Sequence, residues 1–341
     1  MVTRVALVTG ATGFIGSRLV PALVADGWSV RACGRRSRPA SLPDEVDYRG
    51  VDLAAGRLGD LCDGITHAFH LAGASSSLSS QDEMHRSNVV ATERLLDAIG
   101  SSGHRLQRLL YMSSTSIYGE ETPLPSPVRE DVEPHPSRAY GKAKWQTEQA
   151  VWAAADAGLD AVVLRPVSVY GPGNIKLLAS AALDVAIERF ADGGPVLVPV
   201  PPVEQRLVHI DDVVRACLHL AVHEQAAGHA YNVVYPSYPS SHRVAEILAE
   251  ELGVVTELSD DPDCGPPYEA RAAVRSEMLA AGMRPDILLT QERFRFLRKA
   301  NPNNRLSIDA LLGTGFGFED DGLEDGIRRT VAWYLNHQWI L

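Results

Sequence analysis

The chain of 341 residues lacks the features that mark several protein classes. It has only four cysteines, with no Cys-x-x-Cys pair, which predicts reduced thiols and excludes a disulfide framework. Acidic residues outnumber basic ones, 43 against 32, and the net charge of −11 argues against nucleic-acid binding. No apolar run reaches the roughly 18 residues that a membrane span needs. Because the N-terminus also lacks a signal-peptide pattern, we expect a cytoplasmic protein that binds no membrane.

What the chain does contain is a regular alternation of strand and helix signals in its first half. Short apolar runs, such as residues 4–9 and 108–113, predict buried parallel strands, and helical spacing at 14–26 and 140–157 predicts helices between them. This alternation predicts an α/β Rossmann fold with a doubly wound parallel sheet. We expect a dinucleotide-binding domain at 1–170. A smaller, mixed C-terminal substrate lobe at 171–341 should follow, with some chain returning to the sheet.

The second half of the sequence gives weaker signals. Residues 268–300 predict two charged amphipathic helices, and Asp211 is expected to cap a helix that begins at Val213. His219 and His223 have the i, i+4 spacing of a metal pair, but the adjoining sequence lacks the Glu of a His-Glu-x-x-His motif. We therefore expect a solvated helix face there and no metal site.

Three glycines separate the first predicted strand from the first predicted helix. Gly10, Gly13 and Gly16 allow a tight turn and a close approach of the backbone to a pyrophosphate. The N-terminus of the following helix offers unpaired N–H groups and the positive end of the helix dipole. This Gly-x-x-Gly-x-x-Gly turn predicts a dinucleotide site. The alternative is an ordinary glycine-rich turn that binds no ligand.

The residues after the second predicted strand bear on the choice of cofactor. Enzymes that use NAD usually carry an acidic residue there for the ribose 2′-hydroxyl. This chain has Gly34 followed by Arg35 and Arg36, with Arg38 nearby and no acid. Since guanidinium groups pair well with phosphate oxygens, the pattern favours NADP(H) over NAD(H), unless the arginines form only a solvated loop.

A candidate catalytic pair opens the predicted helix at 140–157. Tyr140 and Lys144 are four residues apart and share a helix face, whereas Lys142 points elsewhere. A nearby ammonium is expected to lower the pKa of the tyrosine, which can then exchange a proton with a carbinol or ketone. The segment 111–119, which contains several hydroxyl side chains, ends a predicted strand at the edge where parallel sheets bind ligands, and a hydroxyl there can hold the substrate oxygen beside the tyrosine.

These motifs together resemble an extended short-chain dehydrogenase/reductase, of the NAD-dependent epimerase/dehydratase family. The matching segments, in chain order, are residues 9–16, 52–53, 70–73, 88, 113–119, 140–144, 165–166, 170–172, 209–212 and 231–232. The resemblance covers most of the chain and is loosest in the C-terminal third.

The resemblance implies roles for individual residues. Ser114, Tyr140 and Lys144 are implied as the catalytic set, with Ser113 as the alternative serine, and Lys144 is also implied to bind the nicotinamide ribose. The residues expected to bind the cofactor, from the glycine turn, the arginine loop and the resemblance together, are Gly10, Thr12, Gly13, Phe14, Ile15, Gly16, Arg35, Arg36, Asp52, Leu53, Leu71, Ala72, Gly73, Asn88, Tyr140, Lys144 and Pro166.

Two departures from the family pattern narrow the reaction. Dehydratases and decarboxylases of the family usually carry acids after the catalytic Ser or Thr, where this chain has Thr115 and Ser116. Neither side chain can remove a proton from carbon, so dehydration and decarboxylation are disfavoured. Hydride transfer remains, either as 4-epimerisation through a transient ketone or as net reduction of a ketone.

The substrate is less constrained by the sequence. Arg206 stands where nucleotide-sugar enzymes of the family often bind the diphosphate, while Ser168 replaces the Asn that usually contacts it. With Ser114, these two are the expected substrate-binding residues, and a nucleotide-activated sugar is the expected small-molecule substrate. A hydrophobic ketone, as in hydroxysteroid dehydrogenases or dihydroflavonol reductases, is the alternative, and a non-catalytic dinucleotide sensor is a further one. We expect a homodimer.

Overall fold

The computed structural model describes residues 4–75, 79–103, 105–119, 124–191, 194–261, 263–284, 287–298, 305–319 and 322–341. The chain forms two compact units. The first unit comprises Met1–Val167, Ile210–Val234 and Asn304–Gly317. The second unit comprises Ser168–His209, Tyr235–Asn303 and Phe318–Leu341.

The strands and helices follow one another closely along the chain. The strands are β1 (Val5–Thr9), β2 (Ser29–Gly34), β3 (Asp47–Gly50), β4 (His67–His70), β5 (Arg108–Met112), β6 (Ala161–Pro166), β7 (Ser168–Tyr170), β8 (Val196–Pro199), β9 (Leu207–His209), β10 (His229–Val233) and β11 (Thr256–Ser259). The α-helices are α1 (Gly16–Ala25), α2 (Gln81–His85), α3 (Ala91–Ser101), α4 (Ala139–Asp156), α5 (Leu178–Ala191), α6 (Ile210–Val222), α7 (Ser241–Leu252), α8 (Tyr268–Ala280), α9 (Arg295–Arg298), α10 (Asp309–Gly313) and α11 (Gly322–Asn336). A π-helical turn, Arg86–Val90, joins α2 to α3, and short 3₁₀ helices cover Thr115–Tyr118 and Glu224–Ala226.

The first unit is built on a seven-stranded sheet in the order β10-β6-β5-β4-β1-β2-β3. Every neighbouring pair is parallel. The inner strands are buried throughout or nearly so, as expected of apolar strands covered by helices on both faces. The predicted α/β Rossmann fold with a doubly wound parallel sheet is therefore confirmed. The strand order reverses between β1 and β4, and ligands bind at such a reversal in open α/β sheets.

The register of the strands brings the predicted loops to one edge of this sheet. Thr9, at the end of β1, lies beside Cys33 on one side and His70 on the other. His70 in turn lies beside Tyr111 of β5. The loops that follow β1, β2, β4 and β5 therefore leave the sheet at its carboxyl edge, side by side.

The second unit has two small parallel sheets, β7–β9 and β8–β11, packed with helices. Helix α5 is buried over most of its length and carries two buried acids. Asp184 accepts a hydrogen bond from Arg271 at 2.7 Å, and Glu188 is paired with Arg293. These pairs tie α8, through Arg271, and the segment after it, through Arg293, to α5.

Two local predictions are wrong. Helix α6 begins at Ile210, so Asp211 lies inside its first turn and is not its cap. Residues 268–300 form one long helix, α8, and then only the short α9 among the residues that can be described. The chain is irregular before α9 because the backbone N–H of Phe294 donates to Asp184 Oδ2 at 2.8 Å, and because Phe294 has a φ of 49°. No helix in the described ranges is long and apolar enough to cross a membrane.

Candidate active site

The glycine turn after β1 combines a tight interior with an open outer face. A Cβ at Gly10, whose φ is 67°, would lie 2.8 Å from Ala72 N, and one at Gly16 would lie 2.3 Å from Gly10 O. Gly13 is exposed, and a Cβ there would meet only Gly10 O, at 3.1 Å. No side chain caps α1, and the N–H groups of Ser17 to Leu19 donate to backbone oxygens of the turn, so the exposed backbone around Gly13 is the part that faces outward. The turn therefore fits a pyrophosphate group.

The other predicted turn residues lie in the same segment. Thr12, Phe14 and Ile15 are half-buried there. The backbone of Ala72, in the loop after β4, donates to Thr9 Oγ1 at 3.2 Å and so fixes this loop against the end of β1. Two of the predicted loops are thereby held next to each other.

Asn88 supports the loop after β4 from beneath. It is 1% exposed, and its Nδ2 donates to Ala74 O at 3.2 Å and to Met84 O at 2.9 Å. A Cβ at Gly73 would lie 2.3 Å from Asn88 Oδ1, which leaves room only for glycine. Asn88 therefore binds the loop after β4 at Ala74, directly after the predicted Leu71 to Gly73 segment, and packs closely against Gly73.

The arginines after β2 divide into two kinds. Arg38 donates to Val46 O at 2.7 Å and to Pro43 O at 2.6 Å, so it closes its own loop. Arg35 and Arg36 have exposed side chains. The backbone oxygen of Arg36 accepts a hydrogen bond from Tyr48 OH at 2.7 Å, which fixes the loop. The side chain of Arg36 remains exposed.

Two of the predicted cofactor-binding residues, Asp52 and Leu53, lie just after β3. Asp52 accepts a hydrogen bond from Ala54 N at 2.9 Å and forms an ion pair with Arg86 at 2.6 Å. Leu53 is buried. At β6, Pro166 O accepts a hydrogen bond from Thr115 Oγ1 at 3.4 Å, which joins that strand to the segment after β5.

The two candidate serines, Ser113 and Ser114, directly follow β5. Ser114 caps the 3₁₀ helix Thr115–Tyr118, because its Oγ accepts a hydrogen bond from Ser116 N at 3.2 Å. Its Oγ also lies 3.1 Å from Ser116 Oγ. The Oγ of Ser113 is buried and has no hydrogen-bond partner among the residues described.

Lys144 is held deep in the site. It is 5% exposed, and its Nζ donates to Met112 O at 2.7 Å. The same Nζ lies 5.0 Å from the ring centroid of Tyr111 and 6.0 Å from that of Tyr140. Burial lowers the pKa of Lys144 to about 8, an effect that the Glu148 carboxylate opposes. Lys142, predicted to point away from Tyr140, is exposed.

Tyr140 is protonated at neutral pH. Burial raises its pKa to about 12, and a hydrogen bond with the Ser114 side chain lowers it only in part. The net lowering expected from Lys144 is therefore not seen, because burial raises the pKa of Tyr140 by more than Ser114 lowers it. The structure nonetheless brings Tyr140 together with both Ser114 and Lys144. A neutral phenol in this position can donate a proton.

The two predicted substrate residues both belong to the second unit. Ser168, at the start of β7, pairs with Leu207, so it lies beside the residue that follows Arg206. Burial lowers the pKa of Arg206, and the charges of Tyr238 and Glu204 oppose this.

Sequence reasoning missed one charged residue of this region. Glu148 follows Lys144 by four residues and is fully buried. Its spacing continues the series Tyr140, Lys144 along one face of α4, which is the signal that could have found it. Glu148 forms an ion pair with Arg165, which the sequence indicates only as part of the family segment 165–166.

Comparison with known proteins agrees with this architecture. The family model described as "NAD dependent epimerase/dehydratase family" matches residues 6–233. A curated relative, the dTDP-6-deoxy-L-talose 4-dehydrogenase (NAD(P)(+)) of Kitasatospora kifunensis, is 32% identical over 265 residues, covering 75% of this chain and 81% of its own. A ketoreductase of Stigmatella aurantiaca, named for 4-hydroxy-2-methyl-3-oxo-4-farnesyl-3,4-dihydroquinoline-1-oxide, is 28% identical over 272 residues, covering 75% of each chain.

Among solved structures, MoeE5 in complex with UDP-glucuronic acid and NAD superposes with a TM-score of 0.73. It is 27% identical in sequence and covers 97% of this chain and 99% of its own. The family match spans well over half of the sequence and includes the glycine turn, the Ser114 segment and α4. The chain therefore belongs to the NAD-dependent epimerase/dehydratase family.

Proposed function

We propose that this protein is an NAD(P)-dependent oxidoreductase that transfers a hydride to or from a carbinol or ketone carbon. The observation that carries the proposal is the cluster of Ser114, Tyr140 and Lys144 at the carboxyl edge of the sheet. The open glycine turn at the same edge supports a dinucleotide beside it. A sensor without catalysis would have no need of a tyrosine, a serine and a buried lysine placed together there.

The residues of this edge fit the parts of the cofactor. The glycine turn would hold the pyrophosphate and the Lys144 ammonium the nicotinamide ribose. The exposed guanidinium groups of Arg35 and Arg36 would pair with a 2′-phosphate, so we propose NADP(H) as the preferred form. When bound, the nicotinamide supplies or accepts the hydride.

The protein's own groups handle the proton and the oxygen. In the reductive direction, Tyr140 donates its phenolic proton to the substrate oxygen while Ser114 holds that oxygen by a hydrogen bond. Lys144 stabilises the negative charge that then develops on the phenolic oxygen. Because Thr115 and Ser116 cannot act as carbon bases, the reaction proposed here stops at hydride and proton transfer.

A nucleotide-activated sugar is the substrate that we propose, with reduction of a 4-ketosugar or 4-epimerisation as the reaction. The named activity of the Kitasatospora kifunensis relative and the ligands of MoeE5 support this class. Ser168 and Arg206, which directly precedes the residue paired with Ser168, would contact its diphosphate. A homodimeric state and a cytoplasmic location stay predictions.

The named activity of the Stigmatella aurantiaca relative supports a second candidate, the reduction of a hydrophobic ketone, and the second unit contains, among the residues described, a cavity of suitable lining. The cavity has a volume of about 470 Å³ and is lined largely by Val, Pro, Leu and Phe side chains. Its one arginine, Arg298, faces Glu292 at 3.5 Å and Asp263 at 3.9 Å, so its charge is already matched by two carboxylates. Such a lining suits an apolar group better than a diphosphate.

A substrate panel with the purified protein tests the proposal. NADPH oxidation is followed by its absorbance with a dTDP-4-ketosugar, a GDP-4-ketosugar and a long-chain 3-oxo ester as the hydrophobic ketone, and interconversion of UDP-glucose and UDP-galactose is followed separately. Turnover of a nucleotide sugar supports the first candidate, and turnover of the 3-oxo ester alone supports the second. Cofactor binding with turnover of none of these would favour the sensor and contradict the proposal.

A further inference from the structure

A single buried arginine connects the two segments that carry the candidate catalytic hydroxyls. Arg165, on β6, is 4% exposed. Its Nε and Nη2 donate to the two carboxylate oxygens of Glu148, at 3.1 Å and 2.8 Å. Its Nη1 donates to Tyr118 OH and to Glu130 O, both at 2.8 Å. The guanidinium thus has a partner on three separate pieces of chain.

Two of these partners belong to the elements of the candidate site. Glu148 lies on α4, one turn beyond Lys144 and two turns beyond Tyr140. Tyr118 ends the 3₁₀ helix that Ser114 caps. The position of Tyr140 relative to Ser114 therefore depends on how α4 sits against the 3₁₀ helix, and Arg165 binds both.

The contact between these two elements leaves little room for adjustment. A Cβ at Gly141 would lie 2.5 Å from Ser116 O, so the backbones meet without intervening side chains. The far side of Tyr118 is fixed as well, since its hydroxyl donates to Asn232 Oδ1 at 2.9 Å. Asn232 in turn donates to Val128 O at 3.2 Å and to Ser307 O at 3.1 Å. A small change in the position of the Arg165 guanidinium would therefore change the distance between the hydroxyls of Ser114 and Tyr140.

We propose that Arg165 is a positioning residue, which sets the distance between Ser114 and Tyr140 by binding Glu148 and Tyr118 at once. The proposal rests on the proposed function, in which these hydroxyls act on one substrate oxygen. A lysine cannot replace the arginine, because one ammonium lacks the planar fork that binds a carboxylate with two nitrogens and a phenol with a third. An error of about 1 Å in a reacting geometry can cost about a hundredfold in rate.

The experiment compares Arg165→Lys with a matched control, Arg108→Lys. Arg108, on β5, is also buried and ion-paired, to Asp160 at 2.8 Å, and it also binds backbone oxygens, those of Leu220 and His223. It lies at the opposite end of its strand, away from the Ser114 segment. Both variants should lose comparable thermal stability. Only Arg165→Lys should lower kcat, by about 10- to 100-fold, with KM and cofactor Kd changed less than about threefold.

A second readout does not depend on turnover. In protein labelled with 3-fluorotyrosine, the ¹⁹F resonance of Tyr140 is assigned by its loss in Tyr140→Phe. Arg165→Lys should shift this resonance and the pH at which Tyr140 ionises, and Arg108→Lys should change neither. If Arg165→Lys does not fold, Tyr118→Phe takes its place. This variant keeps the ring and removes the hydroxyl between Arg165 and Asn232, and it should shift the Tyr140 resonance in the same direction by a smaller amount.

The outcomes separate the two proposals. A wild-type protein that turns over no ketone contradicts the proposed function, while the ¹⁹F comparison still decides whether Arg165 positions Tyr140. Equal losses of kcat in Arg165→Lys and Arg108→Lys, or an unshifted Tyr140 resonance in both Arg165→Lys and Tyr118→Phe, would overturn the positioning role.

Discussion

At the scale of single residues, burial sets the protonation states of the candidate site. It raises the pKa of Tyr140 to about 12, which moves its ionisation further from neutral pH, and it brings the pKa of Lys144 down to about 8. At neutral pH the site thus contains a phenol that can donate a proton and an ammonium that can stabilise the resulting phenolate. This combination suits the reductive direction.

The lowered pKa of Lys144 predicts a pH dependence of cofactor binding. Below about pH 8 the side chain is an ammonium and can bind the cofactor ribose, and above it the charge is lost. Cofactor affinity should be constant below this pH and should weaken as the pH rises beyond it, approaching about tenfold per unit if one charged form is required. Fluorescence titrations of NADPH binding at several pH values measure this.

The matched pair for this prediction is Lys144→Met and Lys142→Met, since Lys142 is exposed on the same helix turn. Lys144→Met should bind NADPH weakly with no change near pH 8, and Lys142→Met should behave as wild type. A wild-type profile that is flat from pH 7 to 10 would refute the role of the ammonium.

Cofactor choice is also decided at single residues. Arg35→Ser combined with Arg36→Ser should weaken NADP binding at least tenfold and leave NAD binding nearly unchanged, because only NADP has the 2′-phosphate. Arg38→Ser is the control, since Arg38 binds backbone oxygens of its own loop. Equal affinities of wild type for NAD and NADP would show that the arginines form only a solvated loop. An acid at Gly34 is a poorer test, because its Cβ would lie 3.1 Å from Tyr48 OH and 3.2 Å from Thr12 Oγ1.

Local spacing was enough to predict Tyr140, Lys144 and the glycine turn as neighbours of one site. It could not predict that Arg165 joins Glu148 to Tyr118, because these residues come from three elements that only the tertiary fold brings together. It also gave the wrong direction for the pKa of Tyr140. The desolvation that dominates there depends on burial, which spacing does not report.

At the scale of elements, the packing of α4 on the 3₁₀ helix is the contact that shapes the site. Gly141→Ala should destabilise the protein by about 1–3 kcal/mol, as overpacking does, since the new Cβ would lie 2.5 Å from Ser116 O. Gly100→Ala in α3 is the control, because a Cβ there meets nothing within 4 Å. In that open position alanine should be neutral or stabilising, by up to about 1 kcal/mol. Urea unfolding of both variants decides, and equal stabilities would contradict the close contact.

The elements of the first unit were predictable because each carries its own signal. Apolar runs gave β1 and β5, and helical spacing gave α1 and α4. The segment before α9 was not predictable, since its chain follows hydrogen bonds to the buried Asp184 of α5, far away in sequence. Local periodicity there resembles a second helix that tertiary contacts override.

At the scale of the whole molecule, buried histidines should make stability fall in acid. His70 is joined to Thr9 Oγ1 and Thr92 Oγ1, both at 2.7 Å, and burial lowers its pKa to about 3. In the unfolded chain a histidine takes up a proton near pH 6.5. Between these two values the unfolded state binds more protons, so the free energy of unfolding decreases as the pH falls through this window.

Urea unfolding at pH 7, 6, 5 and 4.5 measures this dependence. His70→Asn should reduce the slope below pH 6.5 by up to about 1.4 kcal/mol per pH unit, the effect of one proton. His229→Asn, at an exposed position, should leave the slope unchanged. Identical slopes in wild type and His70→Asn would show that His70 does not stay neutral in the folded protein.

The division into two units could be anticipated only in outline. The sequence predicts a first domain at 1–170 with some later chain returning to its sheet, but it does not say which segments return, and in the structure the first unit takes in Ile210–Val234 and Asn304–Gly317. Strand β10 returns to pair with β6, and this pairing depends on residues about 70 positions apart. Composition and periodicity do not carry such long-range pairings.

The replacement of Tyr140 by phenylalanine tests the central claim most directly. NADPH affinity and the rate of ketone reduction are measured for wild type and Tyr140→Phe on the substrate that the panel identifies. The account predicts cofactor Kd values within about twofold and turnover lowered by about 100- to 10,000-fold, the usual weight of general acid–base catalysis. A Tyr140→Phe protein that reduces the ketone at the wild-type rate would contradict the account.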